Sequence, residues 1–364
     1  MKYLLTGGGT GGHIYPAVAI ADEIKRNEPD AEILFVGTKN GLESELVPKS
    51  GYELKTIRVK GFKRKISIDI FKTINTAFKG LFDARLIIND FKPDIVIGTG
   101  GYVCGPVVMM AVLKGIPTII HEQNAFPGIT NRILSGFVNK VAVAFEESKK
   151  YFLCKRKIVV TGNPIRTEVL SDNKTASLKK LSFKNNIPLV VSVGGSRGAE
   201  KINESMVDFI KYIDENIQVL IITGSKQYDT VLKKINSINA DIKKNVKVIP
   251  YCYNMKDVYA AADLIICRAG AITLAELTAT GTPSILIPSP NVTHNHQEYN
   301  AKVLVSNKAA EMIIERDLTG KLLFEKVNNL LKNPIMLERM KSNAKKMAKI
   351  DAVKIIYGYI KKLV

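Results

Sequence analysis

Three glycine-rich segments, residues 7–12, 98–101 and 194–198, have the residue types that bind phosphate groups. Each follows a short apolar run that predicts a buried strand, and the first opens a segment of helical length. Glycine lets backbone N–H groups approach a phosphate, and a helix N-terminus favours negative charge. A tight turn between strand and helix explains any one of these loops equally well. Three loops, spread over both halves of the chain, favour an enzyme that holds a diphosphate in each of two substrates.

The first loop matches the G-x-G-x-x-G pattern of dinucleotide-binding domains through Gly7, Gly9 and Gly12. Such domains also carry an acidic residue about 20 positions further on, at the end of the second strand. Here the corresponding segment, residues 35–39, reads FVGTK and contains no acid. The sequence therefore argues against a nicotinamide enzyme, and we expect no cofactor.

His13 directly follows the first glycine loop and is one of only four histidines in the chain. An imidazole titrates near neutral pH, so His13 is the best candidate for a general base that takes a proton from an attacking hydroxyl. The alternative is that His13 only donates a hydrogen bond to a phosphate or a loop carbonyl. His121 and Glu122 are the second candidates for the base.

The sequence predicts no metal site. An Asp-x-Asp pair, which is typical of metal-dependent sugar transfer, does not occur, and the four cysteines form no C-x-x-C pair. Scattered cysteines also argue against a disulfide framework and fit a reducing compartment. The charge on a departing diphosphate would then be stabilised by helix N-termini, loop N–H groups and arginines, with Arg166 and Arg268 as the candidates.

The elements that must position these residues alternate between strand and helix, which predicts parallel sheets of the α/β class. The predicted strands are residues 2–5, 32–36, 94–97, 118–120, 141–144 and 158–160, followed by 189–193, 219–223, 246–249, 264–267 and 284–287. The pattern restarts near residues 161–164, where Gly and Pro interrupt it. We therefore predict two Rossmann-like, doubly wound domains, 1–163 and 164–344, facing a cleft.

The chain has 364 residues and a formal net charge of +19, which favours an anionic partner: nucleic acid, an acidic membrane or phosphorylated substrates. Nucleic acid is not favoured, because the chain lacks Trp and shows no clustered aromatic and basic motif. The start of the chain reaches glycine too early for a signal peptide. The uncharged run 95–113 contains four glycines and a proline, so we expect a strand, a loop and a buried helix rather than a membrane span.

Residues 60–85 predict a helix with one apolar face and a basic flank. Such a helix can lie in a membrane interface, drawn by apolar burial and anionic lipids. The alternative is a helix whose apolar face packs on the core and whose basic side is solvated. The residues predicted to form the membrane face are Lys63, Arg64, Lys65, Phe71, Lys72, Phe78 and Phe82.

The chain contains a set of longer motifs: GGTGGH (8–13), GGYVCGP (100–106), HEQN (121–124), GNPIR (162–166), GGSRGA (194–199), RAGAITLAE (268–276) and HNHQEYNA (294–301). Together these motifs resemble the MurG family of peptidoglycan N-acetylglucosaminyltransferases. The motifs span nearly the whole chain. The resemblance implies the GT-B fold and inverting transfer of GlcNAc from UDP-GlcNAc to the 4-hydroxyl of the muramoyl sugar in undecaprenyl-linked lipid I, giving lipid II. A GT-B enzyme acting on another lipid acceptor, such as diacylglycerol, is the alternative.

The resemblance also assigns roles to individual residues. Residues implied to contact UDP-GlcNAc are Thr10, Gly11, Gly12, Asn124, Arg166, Ser196, Cys252, Arg268, Ala271, Ile272, Thr273, Glu276 and Gln297. Glu276 would accept hydrogen bonds from the ribose hydroxyls. The loops implied to face the acceptor diphosphate contain Gly9, Gly100, Gly101 and Tyr102. The first domain would bind acceptor and membrane, the second the donor, and a last helix at about 345–364 would pack back on the first. The family acts as a peripheral protein at the cytoplasmic face of the bacterial membrane, where cell-wall synthesis and division proteins are expected partners.

Overall fold

The computed structural model describes residues 1–59, 69–165, 169–170, 173–194, 199–238 and 244–364, with the backbone alone for residues 69–75 and 77. The chain divides into two compact units. The first unit comprises Met1–Ile165 and Lys349–Val364, and the second comprises Arg166–Ala348.

The described part of the first unit contains a sheet of seven parallel strands in the order β3-β2-β1-β4-β5-β6-β7. The strands are β1 Lys2–Thr6, β2 Glu32–Gly37, β3 Glu53–Thr56, β4 Ile95–Gly98, β5 Thr118–Glu122, β6 Lys140–Val143 and β7 Ile158–Val160. The order reverses at β1, whose neighbours are β2 on one side and β4 on the other. This is the doubly wound arrangement of nucleotide-binding sheets.

Helices cover both faces of this sheet. They are Gly11–Asn27, Glu43–Lys49, Asp69–Phe91, Cys104–Leu113, Ile129–Leu134 and, from the end of the chain, Ala352–Lys361. Successive side chains of β1 point to opposite faces, as in any strand. Leu4 packs in the core cluster with the helix Cys104–Leu113, and Leu5 packs in the cluster with the helix Gly11–Asn27.

The last helix is fastened to the first unit by the carboxylate of Glu28. This carboxylate accepts hydrogen bonds from the hydroxyls of Tyr3 and Tyr357, both at 2.8 Å, and from Lys361 Nζ at 2.9 Å. Ile356 and Ile360 are buried in the same core cluster as Leu5. Polar and apolar contacts together make this helix part of the first unit.

The described part of the second unit contains a sheet of six parallel strands in the order β10-β9-β8-β11-β12-β13. The strands are β8 Leu189–Val193, β9 Gln218–Ile222, β10 Val246–Ile249, β11 Leu264–Cys267, β12 Ser284–Leu286 and β13 Glu311–Met312. The helices are Lys174–Leu181, Glu200–Phe209, Tyr228–Asn236, Met255–Ala261, Ala271–Thr280, His296–Ser306, Gly320–Leu331 and Pro334–Met347. The order reverses at β8, which lies between β9 and β11.

Short 3₁₀ turns complete the described secondary structure. They are Glu146–Tyr151, Lys155–Lys157, Ile210–Tyr212, Thr293–Asn295 and Glu315–Asp317.

The predicted fold class is confirmed, because both units are doubly wound parallel sheets. The run 95–113 forms β4, a glycine loop and the helix Cys104–Leu113, as expected. Among the described residues, no helix is both long and apolar enough to span a membrane. The sequence interpretation missed β3 and β13, each of which lies at one edge of its sheet.

Candidate functional site

The loops after β1 and β4 meet where the strand order of the first sheet reverses. Gly8 N–H donates to Gly100 O at 3.3 Å, which joins the two loops directly. Ligands of doubly wound sheets bind at this point, outside the carboxyl ends of the strands. The first two glycine-rich segments found in the sequence therefore belong to one site.

Glycine is required in these loops by backbone conformation and by close approach. Gly9, Gly100 and Gly101 have positive φ of 82°, 103° and 85°. A Cβ on Gly101 would lie 2.3 Å from Gly8 O. A side chain at Gly101 would thus push the two loops apart.

Some N–H groups of the first loop donate to other groups in the described part of the protein, and others do not. Those of Gly8 and Gly9 are used internally, the second by the carboxylate of Glu43 at 3.0 Å. No hydrogen bond joins the N–H groups of Thr10, Gly11 or Gly12 to another described residue. The Gly9 N–H is therefore engaged by Glu43, and the N–H groups at the start of the helix Gly11–Asn27 are the candidates for binding an anion.

The ring of His13 is oriented by two oxygen atoms. Its Nδ1 lies 3.0 Å from Thr99 O and 2.9 Å from Gln123 Oε1. Both oxygens can only accept, so Nδ1 carries the proton in the neutral ring. The lone pair is then on Nε2, which has no hydrogen-bond partner among the described residues. His13 is half-buried and has the tautomer that a general base needs.

His121 lies in the interior behind His13 and is held neutral. Its Nε2 donates to Gly162 O at 3.0 Å, and its Nδ1 accepts from Gln123 Nε2 at 3.0 Å. Burial lowers the pKa of His121 to about 4. With both nitrogens engaged and only 1% of its surface exposed, His121 is not available as a base.

Glu122, the other second candidate, is equally committed. One carboxylate oxygen accepts from the N–H and the side-chain amide of Asn124, at 3.0 and 3.1 Å. The other accepts from Gly128 N–H at 3.0 Å and Asn131 Nδ2 at 2.9 Å. Glu122 thus shapes the loop that carries Asn124, and His13 remains the candidate base.

In the second unit, a helix also begins at the point where the strand order of the sheet reverses. The helix Ala271–Thr280 follows β11 directly, and its N-cap is Gly270, which has no side chain to cap it. Ala271, Ile272 and Thr273 therefore form the first turn of a helix whose N-terminus lies at the edge expected to bind a ligand. The described part of the loop after β8 begins at Gly194 and resumes at Ala199.

Arg268 is anchored at this edge by several oxygens. It forms an ion pair with Glu315, and its guanidinium donates to Ile287 O at 3.2 Å. Its side chain is 21% exposed. Because Glu315 already compensates its charge, Arg268 is placed to orient the loops after β11 and β12.

Glu276 and Gln297 lie in half-buried positions on helices of the same unit. Tyr259 donates its hydroxyl to Glu276 Oε2 at 2.7 Å. Gln297 Oε1 accepts from Ser289 N–H at 2.9 Å, in the loop after β12. The bond from Tyr259 therefore orients the Glu276 carboxylate, a group that can accept several hydrogen bonds.

Cys252 lies in the loop after β10, next to an aromatic pair. The ring centroids of Tyr251 and Tyr253 are 4.7 Å apart, and Tyr253 is 91% exposed. Burial raises the pKa of the Cys252 thiol, so this side chain is not a reactive thiolate. The segment can contribute backbone groups and an aromatic surface.

Some predicted residues lie outside the described part of the chain. They are Lys63, Arg64, Lys65, Arg166 and Ser196. Phe71 and Lys72 lie in the helix Asp69–Phe91, with only their backbone described. In the same helix Phe78 and Phe82 are 67% and 56% exposed.

The sequence interpretation missed three residues that orient the others: Glu43, Gln123 and Tyr259. Gln123 lies inside the HEQN motif, and this motif could have identified it. Glu43 and Tyr259 follow no pattern that indicates a role, because their contacts join segments far apart in sequence. Tyr102, predicted for the acceptor loops, has its hydroxyl 3.4 Å from Thr38 Oγ1.

Two family models match most of the chain. The glycosyltransferase family 28 N-terminal domain matches residues 3–143, and the family 28 C-terminal domain matches residues 189–356.

Curated relatives match over the full length. The UDP-N-acetylglucosamine--N-acetylmuramyl-(pentapeptide) pyrophosphoryl-undecaprenol N-acetylglucosamine transferase of Thermoanaerobacter sp. (strain X514) is 64% identical, with 100% of both chains covered. The protein of the same name from Acetivibrio thermocellus is 51% identical, over 99% of this chain and 98% of its own.

Solved structures share the architecture. The crystal structure of Acinetobacter baumannii MurG is similar with a TM-score of 0.80 and 29% identity, covering 100% of both chains. A UDP-GlcNAc 2-epimerase from Neisseria meningitidis has a TM-score of 0.68 and 16% identity, also over 100% of both chains. This second likeness concerns the fold alone.

Proposed function

The chain belongs to glycosyltransferase family 28, and from this premise we propose that it transfers GlcNAc from UDP-GlcNAc to lipid I, undecaprenyl-pyrophosphoryl-MurNAc-pentapeptide. The product is lipid II, the precursor of peptidoglycan. The observation that carries the proposal is the 64% identity over the whole length to an enzyme named for this reaction. Identity at this level extends over both units, and so over both glycine-loop sites.

The second unit takes the donor in this proposal. The N-terminus of the helix Ala271–Thr280 faces the UDP diphosphate, and Glu276 accepts hydrogen bonds from the ribose hydroxyls. Gln297, positioned by Ser289, contacts the sugar. Arg166, Ser196 and the segment around Cys252 complete the donor contacts that family resemblance implies. The hydrogen bond from Tyr259 to Glu276 supports this assignment, because it fixes the carboxylate before the ribose arrives.

The first unit takes the acceptor. The lipid diphosphate faces the N–H groups at the start of the helix Gly11–Asn27 and the loop that contains Gly100 and Gly101. The family resemblance implies that Thr10, Gly11, Gly12 and Asn124 also contact the donor. His13 Nε2 takes the proton of the muramoyl 4-hydroxyl as that oxygen bonds to the anomeric carbon of GlcNAc. The bond from this carbon to UDP breaks at the same time, and UDP leaves with the electron pair. Attack opposite the leaving group inverts the anomeric configuration.

Charge on the departing UDP is stabilised by protein groups in this mechanism. A helix N-terminus carries a partial positive charge of roughly half a unit, and it acts without any reorganisation at the moment of reaction. The helix Ala271–Thr280 supplies this charge, and Arg166 supplies a full one.

The first unit also carries the membrane face. Phe78, Phe82 and Leu86 recur every four residues along the helix Asp69–Phe91 and are all more than half exposed. Ile129 and Ile133 in the helix Ile129–Leu134, and Phe137 in the turn after it, repeat the same spacing and exposure. Exposed apolar side chains at helical spacing suit an interface with lipid. The enzyme then works as a peripheral protein on the anionic cytoplasmic face of the cell membrane, where its polyprenyl-linked acceptor resides.

The test is an acceptor assay with radiolabelled UDP-GlcNAc and the purified full chain. We expect the label to enter a lipid I analogue and not diacylglycerol, which is the acceptor in the alternative hypothesis. Transfer to diacylglycerol alone would overturn the proposed acceptor, and no transfer to either would overturn the proposed reaction.

A further inference from the structure

Glu43 is a fully buried carboxylate beside the first glycine loop. None of its surface is exposed. Oε1 accepts from the N–H and the hydroxyl of Thr38, at 3.0 and 2.6 Å, and Oε2 accepts from Gly9 N–H at 3.0 Å. Burying a carboxylate costs free energy unless hydrogen bonds compensate. Both oxygens of Glu43 are therefore matched to N–H donors from two different loops.

Glycines of both loops leave the space that this carboxylate fills. A Cβ on Gly8 would lie 2.7 Å from Glu43 Cδ, and one on Gly37 would lie 2.5 Å from Cγ. A Cβ on Gly41 would lie 2.2 Å from Oε1. The glycine-rich character of residues 7–9 is thus explained in part by an internal ligand rather than by a phosphate.

Bonding to Glu43 fixes how the loop presents its peptide groups. In a trans peptide the N–H and the C=O point in opposite directions. With Gly9 N–H turned inward to Glu43, Gly8 O points the other way, towards Gly101. Thr38 extends the same network to Tyr102, so the carboxylate connects the loops after β1, β2 and β4.

We infer that Glu43 is a positioning residue of the transfer reaction, one that holds the glycine loop so that the start of the helix Gly11–Asn27 and His13 face the acceptor. This inference rests on the proposed function. Glu43 touches no substrate in this role and acts through Gly9. Its loss should therefore affect the acceptor half of the reaction most and change UDP binding little, because the groups proposed to face the UDP diphosphate and ribose belong to the other unit.

Glu43→Gln tests the inference with little change of volume. An amide has one oxygen, so its NH₂ group must face either Gly9 N–H or Thr38 N–H, and one bond is lost. We expect kcat/KM for a lipid I analogue to fall at least tenfold, with the KM for that acceptor raised. The dissociation constant for UDP should stay within twofold. Glu23→Gln is the matched control, because Glu23 is also buried in the first unit but its described partners, Arg26 and Asn27, belong to its own helix; it should behave as wild type.

Gly41→Ala provides a second variant that leaves both Glu43 and the glycine loop intact in sequence. Its methyl group would displace the flexible end of the carboxylate, so the chain should fold while the Gly9 bond breaks. We expect the same acceptor-specific loss. A variant with normal acceptor kinetics, or equal losses for donor and acceptor, would overturn the inference.

Amide hydrogen exchange separates this inference from the proposed function. In both variants the peptide covering residues 7–14 should exchange at least tenfold faster than in wild type, whatever the substrate. Unchanged exchange there would overturn the role of Glu43. A wild-type protein inactive on the lipid I analogue would instead overturn the proposed function.

Discussion

At the scale of single residues, the hydrogen bonds of a histidine decide whether it can act as a base. His13 donates from Nδ1 towards Thr99 O, so its lone pair is on Nε2. His121 donates from Nε2 to Gly162 O and spends its lone pair on Gln123. Two histidines of one site thus have opposite tautomers and opposite availability, a distinction that sequence cannot reveal because it depends on backbone carbonyls from distant segments.

Replacing His13 should remove the base. We expect His13→Ala to lower kcat by ~100- to 10,000-fold, the usual contribution of general base catalysis, with UDP-GlcNAc binding nearly unchanged. His13→Gln can still donate to Thr99 O but cannot take a proton, so it should be nearly as slow. A Gln variant within about tenfold of wild type, a barrier change of only ~1.4 kcal/mol, would contradict the base assignment.

His121 should make the first unit sensitive to acid. Its pKa is about 4 in the folded chain and 6.5 ordinarily, so between these values the unfolded chain binds a proton that the folded chain does not. Stability is therefore complete above pH 6.5 and is lost as the pH falls towards 4. Linkage gives a loss of about 2 kcal/mol between pH 7 and pH 5 from this group alone.

The measurement is urea unfolding at these two pH values, followed by hydrogen exchange in β5. His121→Gln can keep a bond to Gly162 O but does not titrate. It should lose about 2 kcal/mol less than wild type over the same interval. Equal losses in the two proteins would show that His121 does not remain neutral in the fold.

At the scale of elements, the sequence predicted the strands that contain an apolar run and missed two that lack one. Eleven strands were recognised from apolar runs such as that of β8, which is buried along most of its length. β3 reads ELKT and is at most half-buried, and β13 has two residues. Both lie at an edge of their sheet and pair on one side only, and unlike the edge strands β7 and β10 they contain no apolar run that hydrophobic patterning could detect.

The candidate site was also predicted only in part. The glycine loops and His13 were visible because each stands where a predicted strand ends. Glu43 was not visible, since its helix begins after a separate loop and only the folded chain brings its carboxylate to Gly9. Motifs reveal the residues that face substrates, whereas the contacts behind them depend on tertiary packing.

The exposed face of the helix Asp69–Phe91 should control membrane binding. We expect the double change Phe78→Ser and Phe82→Ser to weaken binding to vesicles containing phosphatidylglycerol at least tenfold, because burying one such side chain contributes roughly 1.5–3 kcal/mol. Glutamates at Lys63, Arg64, Lys65 and Lys72 should weaken it further, by about 1 kcal/mol each. Sedimentation with vesicles provides the measurement.

The control for this prediction is Ile335→Ser, which removes a still more exposed apolar side chain from the second unit. Its vesicle binding should equal that of wild type. All variants should remain active on a water-soluble, short-chain acceptor. Vesicle binding that survives the loss of both phenylalanines would move the docking surface elsewhere.

At the scale of the whole molecule, an excess of 53 Lys and Arg over 34 Asp and Glu creates a positive field. Both proposed substrates carry diphosphates, and the proposed membrane surface is anionic, so one field serves all three partners. Such attraction acts over about a Debye length, roughly 8 Å at physiological salt. The net positive charge thus attracts all three partners, whereas specific contacts depend on the loops where the strand order of each sheet reverses.

We also predict that transfer does not require a divalent metal. Metal-dependent sugar transferases bridge the nucleotide diphosphate and an Asp-x-Asp pair with a cation, and this chain contains no such pair. Fixed positive groups would do that work instead: the N-terminus of the helix Ala271–Thr280 and the guanidinium of Arg166. We therefore expect the initial rate of GlcNAc transfer in excess EDTA to match the rate in magnesium. Complete loss of activity in EDTA, restored by magnesium or manganese, would mean that the departing UDP depends on a cation these protein groups do not replace.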